Sequence, residues 1–589
     1  MSQTKLALRL RALAAALLLA AAPAFGSAPF DAWSEKFAAD WMRLSPEFSS
    51  MSRYFGGAEQ DALDRQLSAT STRRDGQRRL ARQGLADLAQ WSDDKLTPTQ
   101  QHAAATIRWS LQRSLAAEPY EDHGFAFNQL QGLQVRSVNL FTQGHPLRRA
   151  VDVESYLARL ALLPARFDEA VAASRKAAER GLLPPSFIVE RARGQFETFL
   201  KPAPADNVLV SEFARRSQAI AGLTAEERQR ALARAEALVA DSVRPAFARA
   251  LAWLVELQPR TGDDAGLWRL PDGAAAYAQA LAGNTTTSMN AEQIHALGLR
   301  EVARIEAEMD SLLRKLGRGE GSVEQRQRAL NLERQPSAEP DPRPALIARY
   351  GEYVRDAQRR AAPLFGIKPL SPVVVQRVPP LTERTASAYY TTPASDGSRP
   401  GIFWAPLVGP VFNVLGMRSL AVHEAVPGHH FQLALQQEQA DLPRWRQLRV
   451  FGGGSAHSEG WALYAERLAI DQGWYADDPH ALVGALGAQL FRARRLVVDT
   501  GLHAKRWTRQ QAIDYGISVS EVERYIVNPG QATAYMVGML HILALRDQAQ
   551  STMGAHFSLP AFHDIVLKTG SVPLDVLSDV VRRWAAAPT

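Results

Sequence analysis

His423 and Glu424 open the stretch HEAVPGHHFQ, residues 423–432. A histidine followed by glutamate on a helix is the start of a zinc-hydrolase site: the imidazole holds the metal and the carboxylate takes a proton from water. The usual second histidine stands at i+4, one turn on and on the same face. Here that position is Pro427, and the next histidines are His429 and His430. On an unbroken helix the i+7 residue lies about 10 Å further along the axis. Two nitrogens so far apart cannot both sit about 2.1 Å from one zinc, and the i+6 residue faces away. Pro427 withdraws the hydrogen bond owed to the His423 carbonyl, and Gly428 opens backbone conformations closed to other residues. Together they allow the helix to loop, so that a later histidine returns towards His423. The residues alone leave His429 and His430 both open.

A catalytic zinc takes three protein ligands and keeps a position free for water. The next candidate ligands lie in SEGWALYAERL, which carries Glu459 and, two turns later on nearly the same face, Glu466. In many zinc peptidases the third ligand is a glutamate on the helix after the His-Glu helix, which suits Glu459. Glu466 is placed to accept a hydrogen bond from a ligand histidine, and His457 is a neighbour of the same group. Further along, Asp499 precedes His503 by one turn and could orient it or a zinc histidine. Arg495 and Arg546 could pair with buried acids or with a substrate carboxylate. Tyr389 and Tyr390, ahead of GIFW, could line a cleft, and FGGGS (451–455) is a loop or a turn.

The blocks HEAVPGHHFQ, SEGWALYAERL, RLVVDTGLHAKRWTRQQAIDY and NPGQATAYMVGMLHILALR resemble those of a bacterial family catalogued as domain of unknown function 885. NTTTSMNAEQIHALGLREVARIEAEM and YYTTPASDGSRPGIFW are similar to it as well, so the resemblance runs in order from about 284 to 546. It implies a mostly helical zinc peptidase of the thimet-oligopeptidase and angiotensin-converting-enzyme kind. It also implies Zn²⁺ held by His423, His429 and Glu459, since the family block has its histidine directly after Pro-Gly. In the thimet-like group a ligand glutamate is again followed by another seven residues later, as Glu459 is by Glu466. The resemblance further implies Glu424 as general base and a tyrosine of a late helix, here Tyr535, as donor to the oxyanion. His503 is a second candidate for substrate contact.

These residues need elements to carry them, and helical signals dominate. LTAEERQRALARAEALVADSVRPAFARALAWLVE starts with the capping box Thr224–Glu227 and has a kink expected at Pro245. A second helix is expected from an Asn290 cap to a stop at Gly317. Strands are expected only at 372–378 and 401–406. The second precedes the His-Glu helix, where an edge strand could hold an extended substrate by backbone pairing. The expected fold is mainly α: a large two-lobed helical zinc-peptidase-like body with a small β-sheet beside the active-site helix. An N-terminal helical lobe is expected at about 27–290 and a metal-site lobe at about 291–589.

Bulk properties bound the function. Of 589 residues, 68 are basic and 61 acidic, a formal charge of +7. The first 26 residues read as a secretory signal peptide, with Lys5, Arg9 and Arg11 before an apolar run from Ala12 to Ala22. Its removal leaves 7 − 3 = +4, too small and dispersed a surplus to suggest nucleic-acid binding. There is no cysteine, which excludes disulfides, thiolate ligands, cysteine nucleophiles and a lipid-modified cysteine at the cleavage site. The expectation is a secreted or periplasmic zinc peptidase acting on peptides, free of the membrane once its signal is removed. The alternatives are a metal-dependent hydrolase of a non-peptide amide and a binding protein that keeps the metal without catalysis. Oligomeric state is not readable from the sequence.

Overall fold

The computed structural model describes residues 28–587 apart from 380–382, 384–386, 395, 396, 398 and 453. The signal peptide assigned to residues 1–26 lies outside the described residues. The chain is mainly helical with one small sheet, and no described helix is long and apolar enough to cross a membrane.

The N-terminal helices build two cores. One gathers Phe30, Phe37, Ile107 and Leu111 and is completed by Trp445 and Phe451 from the other end of the chain. The other packs Tyr156, Phe167, Phe196, Phe247 and Trp253 between helices from Ala150–Glu179 to Arg244–Leu257. The capping box at Thr224 forms. Where a kink is expected at Pro245, a π-helical turn, Val239–Val243, ends just before the proline and separates the helices Ala225–Leu238 and Arg244–Leu257. A proline cannot donate to the turn before it, so the chain widens there.

The third and largest core carries the site. Helix α1 (Ala291–Lys315) starts at an Asn290 capping box with Gln293 and ends beyond Leu316 at Gly317, whose φ of 75° suits a helix stop. The three-stranded sheet has β1 (Val373–Arg377), β2 (Tyr389–Thr391) and β3 (Gly401–Ala405) in the order β1-β3-β2. β1 runs parallel to β3, with Val373 opposite Gly401, and β2 runs antiparallel, with Tyr390 opposite Phe403. The strand expected to be an edge, 401–406, is thus central and buried, and β2 takes the edge.

Helices α2 (Met417–Glu424), α3 (His429–Glu438), α4 (Ser455–Asp471), α5 (Pro479–Ala504), α6 (Val519–Val527) and α7 (Ala534–Met553) follow. Two crossings fix their spacing. A Cβ on Gly298 of α1 would come within 2.7 Å of the Leu496 Cβ on α5. A Cβ on Gly460 of α4 would lie 2.5 Å from the Gly538 backbone of α7. α4 and α7 therefore touch backbone to backbone, an approach only glycine permits.

Candidate metal centre

The His-Glu helix ends where the sequence says it must. α2 stops at Glu424, α3 starts at His429, and the four residues between them loop out. Gly428 N–H donates back to the Val422 carbonyl at 3.0 Å, closing the loop. The Pro427 carbonyl accepts from Trp461 Nε1 of α4 at 2.9 Å. Close approach adds a second reason for glycine: a Cβ on Gly428 would sit 2.0 Å from the His423 carbonyl oxygen and 2.4 Å from that of Val422.

The loop brings His429, and not His430, back to His423. Ligand atoms of His423, His429 and Glu459 all lie within 4.8 Å of one another. Glu459 Oε2 is 3.3 Å from His429 Nε2 and 3.6 Å from His423 Nε2. Donors about 2.0–2.1 Å from a tetrahedral zinc are about 3.3 Å apart, so the donor set fits such an ion. His430 turns to the sheet, where its Nδ1 meets the Tyr390 hydroxyl at 2.8 Å. Gly401 leaves room for that pair, since its Cβ would be 2.5 Å from the hydroxyl.

Glu466 lies beside His423. Its Oε1 is 2.8 Å from His423 Nδ1, and its Oε2 accepts from Ser419 one turn earlier on α2. This bond directs the Nδ1 proton at Glu466 and leaves Nε2 as the lone-pair donor. The His429 Nδ1 has no such acceptor among the described residues. Burial alone would lower the His423 pKa, but hydrogen bonds to Glu459 and Glu466 outweigh it and hold it near 10. Burial would likewise raise Glu459, but its two histidine partners hold it well below the usual carboxylate range. The cluster therefore holds a second proton on His423, between the ionised carboxylates of Glu459 and Glu466, and a divalent cation would displace it.

Glu424 is buried, and its Oε2 has no hydrogen-bond partner among the described residues. Burial lifts its pKa above the ordinary value. Glu424, the cluster and Tyr535 line one cleft of about 640 Å³, with Tyr389 and Tyr390 in its wall. Tyr535 stacks on His423, ring centroids 6.4 Å apart. The Arg495 guanidinium lies 4.6 Å from the Tyr535 ring and 4.4 Å from Phe491, and Glu521 accepts from its Nη2 at 2.7 Å. Of the two roles open to Arg495, pairing with an acid is thus observed, and that acid, Glu521, is half-buried on the cleft wall.

Other candidates fall elsewhere. His503 does not face the cleft: it is buried, with Nδ1 bonded to Leu267 N–H and Nε2 to the Tyr525 carbonyl, both at 3.1 Å. Both ring nitrogens are used up by backbone. Asp499 orients neither His503 nor a ligand histidine; it accepts from Tyr277 at 2.6 Å and from Gly530 N–H at 3.0 Å. It thereby fixes the Asn528-Pro529-Gly530 turn that leads into α7 and Tyr535. Arg546, three turns beyond Tyr535 on α7, reaches Asp471 at 3.6 Å and does not line the cleft. His457 is buried against the Val572 backbone. Gly454, at the end of the glycine run before α4, is pressed on the Gly283 carbonyl, which a Cβ would approach to 2.0 Å. Sequence reading missed the parts played by Ser419, by Trp461 and by Arg492, which lines the cleft with its guanidinium 4.0 Å from Glu466 Oε1. Ser419 and His423 share a helix face at i, i+4, and that spacing was the available signal.

The fold and cluster define a mainly helical protein with a group of two histidines and one glutamate, able to hold a metal ion, in a cleft. The chain belongs to the family described as "Bacterial protein of unknown function (DUF885)", which matches residues 50–581. A crystal structure from Colwellia psychrerythraea, described as a "putative lipoprotein", is 30% identical. That match covers 94% of this chain and 99% of the other, with a TM-score of 0.84. A structure from Shewanella oneidensis, described as a "putative lipoprotein of unknown function", is 19% identical over 94% of this chain and 99% of its own, with a TM-score of 0.70. At that identity the likeness is one of fold. No curated protein matches the chain.

Proposed function

We propose that the protein is a secreted or periplasmic zinc peptidase of the thimet-oligopeptidase-like kind, with a two-lobed helical body. The observation that carries this reading is the pairing of a His423–His429–Glu459 donor set with an unpartnered buried carboxylate, Glu424, in one cleft. A structural metal site needs no such base and closes its fourth position. His423 and His429 would each give Nε2 and Glu459 a carboxylate oxygen. A bound zinc ion would supply Lewis acidity and acidify water to a pKa of about 7. Glu424 Oε2 accepts the proton of the attacking water and passes it to the leaving amine. Its buried setting favours proton uptake. The Tyr535 hydroxyl donates to the oxyanion that develops on the scissile carbonyl.

The experiment is metal analysis beside a peptide and small-amide panel. Purified protein should carry about one equivalent of zinc and cut peptides in preference to amides, and chelation should abolish this. Glu424→Gln should keep the metal and lose about 10²-fold or more in rate. Less than about half an equivalent of any divalent metal after reloading would sink the reading.

A further inference from the structure

The other face of the sheet borders a second cavity, of about 1230 Å³, between β2–β3 and the N-terminal helices. Its wall is rich in arginine. Arg53, Arg149 and Arg166 are neutralised by carboxylates. Arg73, Arg136 and Arg148 have no ion pair and no side-chain hydrogen bond among the described residues. The two acids of the wall are engaged elsewhere: Glu47 holds the Ser68 N–H and hydroxyl, and Asp152 holds the Arg148 and Arg149 N–H groups. Desolvation in the cavity wall and the neighbouring charge of Arg73 disfavour the charge on Arg136, Glu47 partly offsets them, and the Arg136 side chain still reaches solvent. Like charges confined together cost energy that an incoming anion returns.

The cavity meets the metal cleft at β2. Tyr389 belongs to both walls, Tyr390 to the cleft and Thr391 to the cavity. The outer edge of β2 has no strand partner among the described residues. An extended chain pairing with that edge points alternate side chains to opposite faces of the sheet. One set enters the metal cleft and the other faces the arginine wall.

We propose that the cavity is a remote subsite in which Arg73, Arg136 and Arg148 bind aspartate or glutamate side chains of an extended peptide substrate. This rests on the peptidase reading for its ligand, but its test is a binding measurement. Two fluorescein-labelled peptides of one length, with glutamate or glutamine at alternate positions, are titrated into the Glu424→Gln protein and followed by anisotropy. The glutamate peptide should bind about tenfold more tightly, and added salt should erode that margin. An Arg73→Gln/Arg136→Gln change on the same background should bring the two peptides to within about twofold, with the glutamine peptide unaffected. Equal binding of both peptides to the parent, or an acidic preference that survives the double change, overturns the proposal. Should the double variant fail to fold, Arg148→Gln and the salt series decide between the same two outcomes. Acidic preference without cleavage by the unmutated protein would retain the subsite while removing the peptidase reading.

Discussion

Replacing His429 with alanine removes one corner of a three-donor set whose atoms lie within 4.8 Å. Replacing His430 removes only a bond to Tyr390 beside the sheet. His429→Ala is therefore expected to lose stoichiometric zinc, and His430→Ala to retain it, in parallel elemental analyses. Retention by His429→Ala with loss by His430→Ala would reverse the ligand assignment. Glu466→Gln asks a subtler question. The amide keeps the volume but no longer supplies an anionic acceptor to His423 Nδ1. Zinc affinity should fall about 10- to 100-fold in competition with a chelating dye, and Ser419→Ala should fall in the same direction by less. The grouping of these side chains was legible from residue type and spacing: His423, Glu459 and Glu466 come together as HEAVPGHH and SEGWALYAERL suggest, with Glu424 in the same cleft. The choice between adjacent histidines was not, because it turns on backbone directions within a loop. His503 and Asp499 misled for a related reason. A polar pair one turn apart on a helix looks the same whether it faces a cleft or satisfies buried backbone, and here it satisfies Leu267, Tyr525 and Gly530.

The site is held by joints between elements more than by any one helix. Gly428→Ala would drive a Cβ into the His423 carbonyl at 2.0 Å, so α2 and α3 would have to part. The expected result is loss of zinc together with a stability cost of about 1–3 kcal/mol, typical of overpacking, read by metal content and denaturant unfolding. The α4–α7 crossing separates two functions. Gly460→Ala would push α7, and with it Tyr535, away from α4 at a contact of 2.5 Å. Glu459 sits one residue earlier on α4 itself, so zinc content should survive while the turnover rate drops. Equal loss of metal and rate would show that the crossing holds the cluster rather than the tyrosine. Helices were readable from capping boxes and periodicity, as at Thr224 and Asn290. The sheet was readable only in part. β1 and β3 announce themselves with β-branched and aromatic runs, whereas β2 is three residues long and exists only because β3 offers it an edge. Sequence alone therefore named the central strand as the candidate edge.

Burial of neutral histidines sets how the molecule as a whole responds to acid. His145, His503 and His563 lie in different parts of the chain, and each is buried with its ring hydrogen-bonded to protein groups. Burial holds His503 and His563 down to about 4, and burial with the charge of Arg159 holds His145 near 3. An unfolded histidine titrates near 6.5. The folded chain therefore binds fewer protons than the unfolded chain between these values, and stability falls as pH falls. The contribution of each histidine is complete above about pH 6.5 and is lost progressively towards pH 4. At pH 5 each deprives the folded state of about 2 kcal/mol. Three such groups together rival the whole net stability of an ordinary domain, about 5–15 kcal/mol. In the presence of chelator, so that metal loss plays no part, the melting temperature should drop steeply between pH 7.5 and 5. His503→Gln, which cannot take up a proton, should start from a lower melting temperature and show a shallower drop over the same interval. A parent chain whose melting temperature is flat across that interval would mean that these histidines are already charged in the fold. The backbone bond from Leu267 N–H to His503 Nδ1 would then have to be broken, because a protonated ring has no lone pair there to accept it.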